Sequence, residues 1–301
     1  MKVCILSDAR LPTAPDYPGH GLGAMVSAVA RGLAAKGHEV TLFAGAGSTF
    51  AEGTLKIETD ERSFARHDLT GFEVVMDNTH GKITRHIKGL PVIQVSHDRE
   101  ARPSAQAVFP TQAHALYHGF NRTNARIVYN GVDVQDVQAD SNGYFAYLST
   151  FHTAKGARGA MQAAELAGVK LVMAGGSPPA PPPGSNYIGP LAGEYKLKFL
   201  AGATALLFPS AIEAGPVTVL EAESVGCPVI VSRFGGASEN MCDGLTGFTV
   251  SDTSDMVDKI AAIGSIKREN CKRWIAENRS RQQMIDRYES LLQAVAAGER
   301  W

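Results

Sequence analysis

The chain has 301 residues, of which 44% are hydrophobic, 20% charged and 7% aromatic, a length that carries two domains at roughly 100–200 residues each. Lys plus Arg number 29 against 30 Asp plus Glu, a formal net charge of −1, which excludes a general basic footprint for nucleic acid or anionic lipid. No apolar run approaches the roughly 20 residues of a membrane span, so integral membrane topology is not expected. In chain order, residues 3–7 read as a buried strand. A glycine-bearing loop over 19–23 leads into a helix with Met25, Val26, Val29, Ala30 and Leu33 on one face, which Gly37 ends. Strands follow at 40–43, 55–57, 74–76, 92–95, 107–109 and 127–129, while 44–66 as a whole reads as an irregular surface region. Apolar periodicity lapses around 133–142, where the domain junction is expected.

A second alternating series opens with a strand at 144–148, a helix over 157–167 and a strand at 170–174. The stretch 177–184 is proline-rich and reads as a stiff exposed loop. Strands at 205–208 and 229–231 flank a helix of about 217–225, and 266–297 reads as helix with Trp274, Ile275, Tyr288, Leu291 and Leu292 as its apolar anchors. Strands alternating with helices imply parallel sheets covered by helices. The fold class is therefore α/β, with two doubly wound, Rossmann-like domains facing a cleft and ligands at the strand C-terminal ends. The expected division is 1–140, 141–277 and a terminal helix, 278–301, crossing back to the first domain. The four cysteines (Cys4, Cys227, Cys242, Cys271) have neither metal-ligand spacing nor the number for a disulfide framework. The N-terminal residues run into Asp8 and Arg10 without a signal-peptide core, and the expectation is a reduced, cytoplasmic protein.

The most informative stretch is residues 208–222. A strand ends at Pro209, a short loop presents Glu213, and a helix opens near Pro216 and Val217 with Glu221 about one turn inside it. Its N-terminal amides and positive dipole end form a seat for a phosphate. The alternative for these residues is a plain helix cap with Glu221 solvated. This stretch resembles the E-x7-E segment of retaining glycosyltransferases of the GT-B fold, family 4. Gly226-Cys227-Pro228-Val229-Ile230-Val231, Gly235-Gly236-Ala237-Ser238-Glu239 and Asp243-Gly244-Leu245-Thr246-Gly247-Phe248 are similar to the motifs that follow it in that family. The resemblance assigns Glu213 to the donor sugar near the reacting carbon and Glu221 to the ribose hydroxyls.

Upstream, residues 147–156 resemble the family's G-R-x-x-x-x-K-G segment. Lys155 matches its diphosphate-binding lysine, while Thr150 stands at the arginine position. A departing diphosphate calls for cationic partners, and Arg158, Arg99 and Arg233 are the candidates to substitute. His20-Gly21-Leu22-Gly23 resembles the glycine loop before the first helix, which implies that the backbone at Gly21 approaches the phosphate. The spacing of Gly19, Gly21 and Gly23 is not that of a G-x-G-x-x-G dinucleotide site. Lys36-Gly37-His38-Glu39-Val40 and Asn130-Gly131-Val132-Asp133 match turns read as structural. Gln94-Val95-Ser96-His97-Asp98 matches an H-D pair whose histidine lies close to the transferred sugar. Asp98 alternatively caps the following turn, and His80 is a weaker candidate of the same kind. Tyr187-Ile188-Gly189-Pro190-Leu191 resembles the loop near the nucleobase, where backbone contacts at Gly189 dominate.

The resemblance implies transfer from a UDP-, GDP- or ADP-sugar to an acceptor hydroxyl with retention. It casts His97, Glu213 and Lys155 as catalytic, and Gly21, Lys155, Gly189, Pro216, Val217 and Glu221 as donor-binding. No D-x-D carboxylate motif is present, so neither metal nor other cofactor is expected. Charges in the first domain nearly balance, which favours a soluble small molecule or glycan as acceptor. Two other readings remain: a sugar-nucleotide epimerase, and a degenerate sugar-nucleotide-binding protein without turnover, to which Thr150 and His20 incline.

Overall fold

The computed structural model describes residues 1–15, 21–58, 60–64, 66–103, 106–121, 123–139, 142–176 and 179–301. Gly19 and His20 of the glycine-bearing loop, and Ser177 and Pro178 of the proline-rich run, lie outside the described residues. The chain divides into two compact units, Met1–Asn130 with Arg281–Trp301, and Gly131–Ser280.

In the first unit the elements run β1 (Lys2–Leu6), α1 (Gly21–Ala35), β2 (Glu39–Gly45), β3 (Thr54–Glu58), α2 (Glu61–Phe64), β4 (Val74–Asp77), β5 (Val92–Val95), β6 (Ala107–Phe109), α3 (Gln112–Tyr117) and β7 (Arg126–Ile127). They build a seven-stranded sheet of order β3-β2-β1-β4-β5-β6-β7, with every pairing parallel. Strands β1, β2 and β4 are buried along almost their whole length, as in parallel sheets covered on both faces. The segment 44–66 is not irregular throughout: it holds the edge strand β3 and the short α2. Leu55 and Ile57 alternate with polar neighbours in β3, in keeping with the strand expected at 55–57.

In the second unit the order is β8 (Tyr144–Leu148), α4 (Ala157–Leu166), β9 (Lys170–Ala174), α5 (Gly193–Gly202), β10 (Ala205–Phe208), α6 (Val217–Ser224), β11 (Val229–Ser232), β12 (Gly247–Val250), α7 (Thr253–Ala262) and α8 (Arg268–Asn278). Its parallel five-stranded sheet has the order β12-β11-β10-β8-β9. Buried side chains cover both faces: Phe208, Val219, Val229 and Leu200 on one, Tyr147, Leu207, Ile230 and Ile260 on the other. The fold is thus two doubly wound α/β sheets.

The chain then returns to the first unit through α9 (Arg281–Ala296). Buried Met284, Ile285, Tyr288, Leu292 and Val295 form its inner face. A Cβ at Gly32 of α1 would overlap the Ile285 side chain, so the two helices meet closely there. Lys36 holds Asp286 at 2.9 Å and Glu289 at 2.5 Å, and His38 reaches Glu289 at 2.8 Å. Residues 266–297 are therefore not one helix. Val132 N donates to Arg279 O at 2.9 Å and Val132 bridges Ser280, which draws the backbone out of helical conformation between α8 and α9. Similar bonds, Gln135 N to Ser224 O and Asn142 N to Gly202 O, tie Gln135 and Asn142 into the second unit. The units accordingly divide after Asn130, ten residues before the boundary at 140 expected from the lapse in periodicity.

Candidate functional site

In the second unit β8 is laid first, β9 joins one side of it and β10 the other, so the strand order reverses between β8 and β10. Loops leaving the carboxyl ends of strands at such a switch point diverge and leave room for a ligand. The loop after β8 carries Lys155 and the loop after β10 carries Glu213. Lys155 Nζ donates to Glu213 Oε1 at 2.7 Å, with the two side chains 25% and 11% exposed.

Both loops are held from below. Tyr147, buried in β8, donates its hydroxyl to Thr150 O at 3.0 Å, and burial pushes that hydroxyl's pKa up. Gly156 follows Lys155 with φ +73, and an added Cβ would lie 2.8 Å from Pro209 Cγ, so only glycine lets the two loops close on each other. Ser210 Oγ donates to Ala154 O at 3.4 Å. On the far side, Gly236 N donates to Glu213 O at 2.8 Å, and Asn240 Nδ2 to Pro216 O at 3.1 Å. The Gly235-Gly236 motif thus clasps the backbone of the Glu213 loop.

Helix α6 opens at Val217. Pro216 is its N-cap (φ −68°, ψ 121°), no side chain caps it, and no acidic residue occupies its first turn. Because Pro216 precedes the helix, the amides of its first residues all remain as donors aimed out of the N-terminus. Glu221 lies one turn inside, with Oε1 receiving a 2.6 Å bond from Lys196 Nζ on α5. Gly189 lies at the carboxyl end of β9, where its carbonyl accepts from Gly175 N at 3.2 Å. The second unit therefore brings Lys155, Gly189, Glu213, Pro216, Val217 and Glu221 to the carboxyl ends of β8, β9 and β10. Thr150 is exposed in the first of these loops. Of the candidate arginines, Arg233 lies 3.8 Å from Asp255, Arg158 is exposed on α4, and Arg99 lies over the Tyr117 ring in the first unit.

Gly21 and His97 belong to the first unit. Gly21 is the first residue of α1, among the amides a helix leaves unpaired. Gly23 is sterically obliged, since a Cβ there would lie 2.6 Å from Pro12 O. His97 follows β5, its Nε2 lying 3.2 Å from Asn78 Oδ1. The strand order reverses between β1 and β4 in this sheet, and Asn78 spans that point by giving N and Nδ2 to Leu6 O at 2.9 and 3.1 Å. Burial, reinforced by His80 and His114, pushes His97 down to about 3. His114, also buried, is pushed down to about 4, and burial lowers His80 as well. Burial works against ionisation of Asp8, yet Arg10 at 2.5 Å holds its carboxyl at about 2.

Sequence patterns do not reveal Lys196 or Asn240 as parts of the site, and they give Tyr147, inside the matched segment 147–156, no role of its own. Asn240 borders the Gly235–Glu239 motif, but Lys196 carries no local signal. Among the described residues no group of three or more His, Cys, Asp or Glu is placed to hold a metal ion.

Taken together, fold and site define an α/β protein with a helix N-terminus that no side chain caps and paired Lys–Glu groups at a sheet switch point. Residues 134–281, which take in nearly the whole of the second unit, match the family described as Glycosyl transferases group 1. Over 87 residues the chain is 34% identical to sucrose synthase of Acidithiobacillus caldus; the match covers 28% of this chain and spans only 11% of that relative's length. AviGT4, a glycosyltransferase involved in avilamycin A biosynthesis, has the same fold at a TM-score of 0.80 and 22% identity, over 100% of this chain and 99% of that one. Sucrose-phosphate synthase from Thermosynechococcus elongatus matches at 0.80 and 15% identity, over 99% and 100%. Anabaena HepE in complex with UDP-glucose matches at 0.74 and 15% identity, over 98% and 100%. The architecture is that of GT-B glycosyltransferases.

Proposed function

We propose that the chain is a retaining glycosyltransferase that moves a sugar from a nucleoside-diphosphate sugar to an acceptor hydroxyl without a metal ion. The observation that carries this reading is the Lys155–Glu213 pair, at the sheet switch point of a glycosyl transferases group 1 domain. An ammonium has three donors, and one bond to Glu213 leaves two for phosphate oxygens. Lys155 and the first-turn amides of α6 take the diphosphate, and Gly21 presents a further amide. Glu221 accepts from the ribose and the backbone at Gly189 borders the base.

Glu213 and His97 orient the sugar. As the bond from the anomeric carbon to the phosphate oxygen breaks, the bond to the acceptor oxygen forms on the same face. The acceptor's proton passes to the leaving phosphate oxygen. Negative charge growing there is met by donors already in place, the arrangement that most strongly lowers such barriers. HepE has been seen with UDP-glucose, which puts UDP-sugars first among donors, with GDP- and ADP-sugars behind. The reaction is assigned to the cytoplasm with a soluble small molecule or glycan as acceptor. Among the described residues no helix is long and apolar enough to cross a membrane.

Donor hydrolysis and transfer are measured on UDP-, GDP- and ADP-sugars, with and without chelator, for the wild type and Lys155→Ala. Hydrolysis that survives chelation and disappears in Lys155→Ala is the expected result. Thr150 at the arginine position favours one second reading, a sugar-nucleotide binder without turnover. Tight nucleotide binding with no hydrolysis on any donor would establish it, and conversion of the donor sugar without acceptor would mark an epimerase.

A further inference from the structure

Helix α5 carries two lysines in different situations. Lys198 is 53% exposed and pairs with Glu194 on its own helix, itself 72% exposed, a surface contact of little consequence. Lys196 instead reaches across to α6, where its Nζ lies 2.6 Å from Glu221 Oε1, with side chains 26% and 20% exposed. Lys196 is the fourth residue of α5, where a cation opposes the helix dipole, so its position is not one that helix stability selects. Among the described residues no partner other than Lys196 is found for the Glu221 carboxylate, and Oε2 keeps its lone pairs available.

Resting on the donor reading above, we propose that Lys196 is a positioning residue for ribose recognition. It pins Oε1 of Glu221 so that Oε2 faces the cis-diol of a ribonucleotide. An unpinned glutamate samples several rotamers and loses that freedom on binding, whereas a pinned one is already ordered. The recognised feature is the ribose diol rather than base or phosphate, so the effect of Lys196 must vanish when the diol is absent.

Calorimetry with UDP, GDP and ADP selects the base bound most tightly by the intact chain. That diphosphate and its 2′,3′-dideoxy counterpart are then titrated into wild type, Lys196→Met, Lys196→Arg and Glu221→Ala. Lys196→Met should weaken the ribonucleotide about tenfold, as expected for a charge-assisted bond that loses its orientation. It should leave the dideoxy compound's affinity unchanged, and Lys196→Arg should restore most of the loss. Equal weakening of both compounds would make Lys196 a phosphate contact or a fold contact, and tightening would make it a competitor for Glu221; either overturns the proposal. If Glu221→Ala leaves ribonucleotide affinity unchanged, the ribose assignment of the donor reading falls. If Glu221→Ala weakens it and Lys196→Met does not, only the positioning role falls.

Discussion

Lys155 and Glu213 come from loops 58 residues apart and meet through a 2.7 Å bond between Nζ and Oε1. Both side chains are largely shielded from solvent, so removing one partner leaves the other's charge without compensation. Lys155→Met should lower kcat on the order of 100- to 1,000-fold and weaken nucleoside diphosphate binding, because on the proposed function it removes a donor to the leaving group. Glu213→Gln keeps the shape and loses the charge. It should lower kcat while largely sparing diphosphate affinity. Rates and calorimetry on both single variants and the double variant test this. Losses that simply add would mean that the two side chains act independently.

Gly235 supports the same loop from behind. At φ +72, an added Cβ would lie 2.8 Å from Ala211 O and 3.2 Å from Glu213 N, both backbone atoms that cannot swing away. Gly244 has φ +75 with nothing within 4 Å of its virtual Cβ. Gly244→Ala therefore bears only the left-handed backbone cost of about 1 kcal/mol. Gly235→Ala bears that cost and must also displace the Glu213 loop. Gly235→Ala should lower turnover at least about tenfold, and Gly244→Ala should not. Matching activities in the two variants, at matched thermal stability, would disconnect Gly235 from the site.

Much of this was legible in the sequence because the signals are local. Buried parallel strands such as β1 and β10 are short apolar runs, and the order Glu213, Pro216, Glu221 along one strand–loop–helix fixes their places. Illegible were relations made by the tertiary fold. Lys196 lies 25 residues before Glu221, and their pairing exists only because α5 packs beside α6. The break between α8 and α9 is imposed by Val132, almost 150 residues upstream, through backbone bonds that no side-chain pattern reports. Likewise His97 looks like any histidine at a strand end until Asn78 is brought to its Nε2.

The two units should respond to pH with opposite sign. His97 is held at about 3 and His114 at about 4, against 6.5 for an ordinary histidine. The unfolded chain therefore binds more protons across that window, and the first unit loses stability as pH falls below about 6.5. In the second unit Glu223 is fully buried on α6, and burial raises its carboxyl well above 4.5, with Thr246 and Arg279 only partly offsetting it. Here the folded state binds the extra proton, so stability is fully present below 4.5 and declines as pH rises. Each group contributes up to about 1.4 kcal/mol per pH unit. Hydrogen exchange resolved by unit should show the slopes diverging between these values. Glu223→Gln should raise the second unit's stability at neutral pH and flatten its slope; an unchanged slope would mean that Glu223 titrates normally in the fold.

The Asn78–His97 bond fixes which nitrogen His97 offers to a ligand. Asn78 Nδ2 donates to Leu6 O, so the amide's oxygen is the atom turned to His97, and Nε2 must be the donor across their 3.2 Å. With the ring kept neutral, the proton sits on Nε2 and Nδ1 presents a lone pair, an acceptor suited to a sugar hydroxyl. Nitrogen-15 chemical shifts of His97 should report the Nε2–H tautomer throughout the neutral range. The kcat/KM profile of the wild type should show no acid limb from this residue above about pH 5. Asn78→Asp sets a carboxylate against the ring and favours the imidazolium, which turns Nδ1 from acceptor to donor. That variant should lose activity at neutral pH and regain it as pH rises, because deprotonation restores the lone pair. A profile parallel to the wild type, with the imidazolium visible by NMR, would show that the sugar makes no use of Nδ1 as an acceptor.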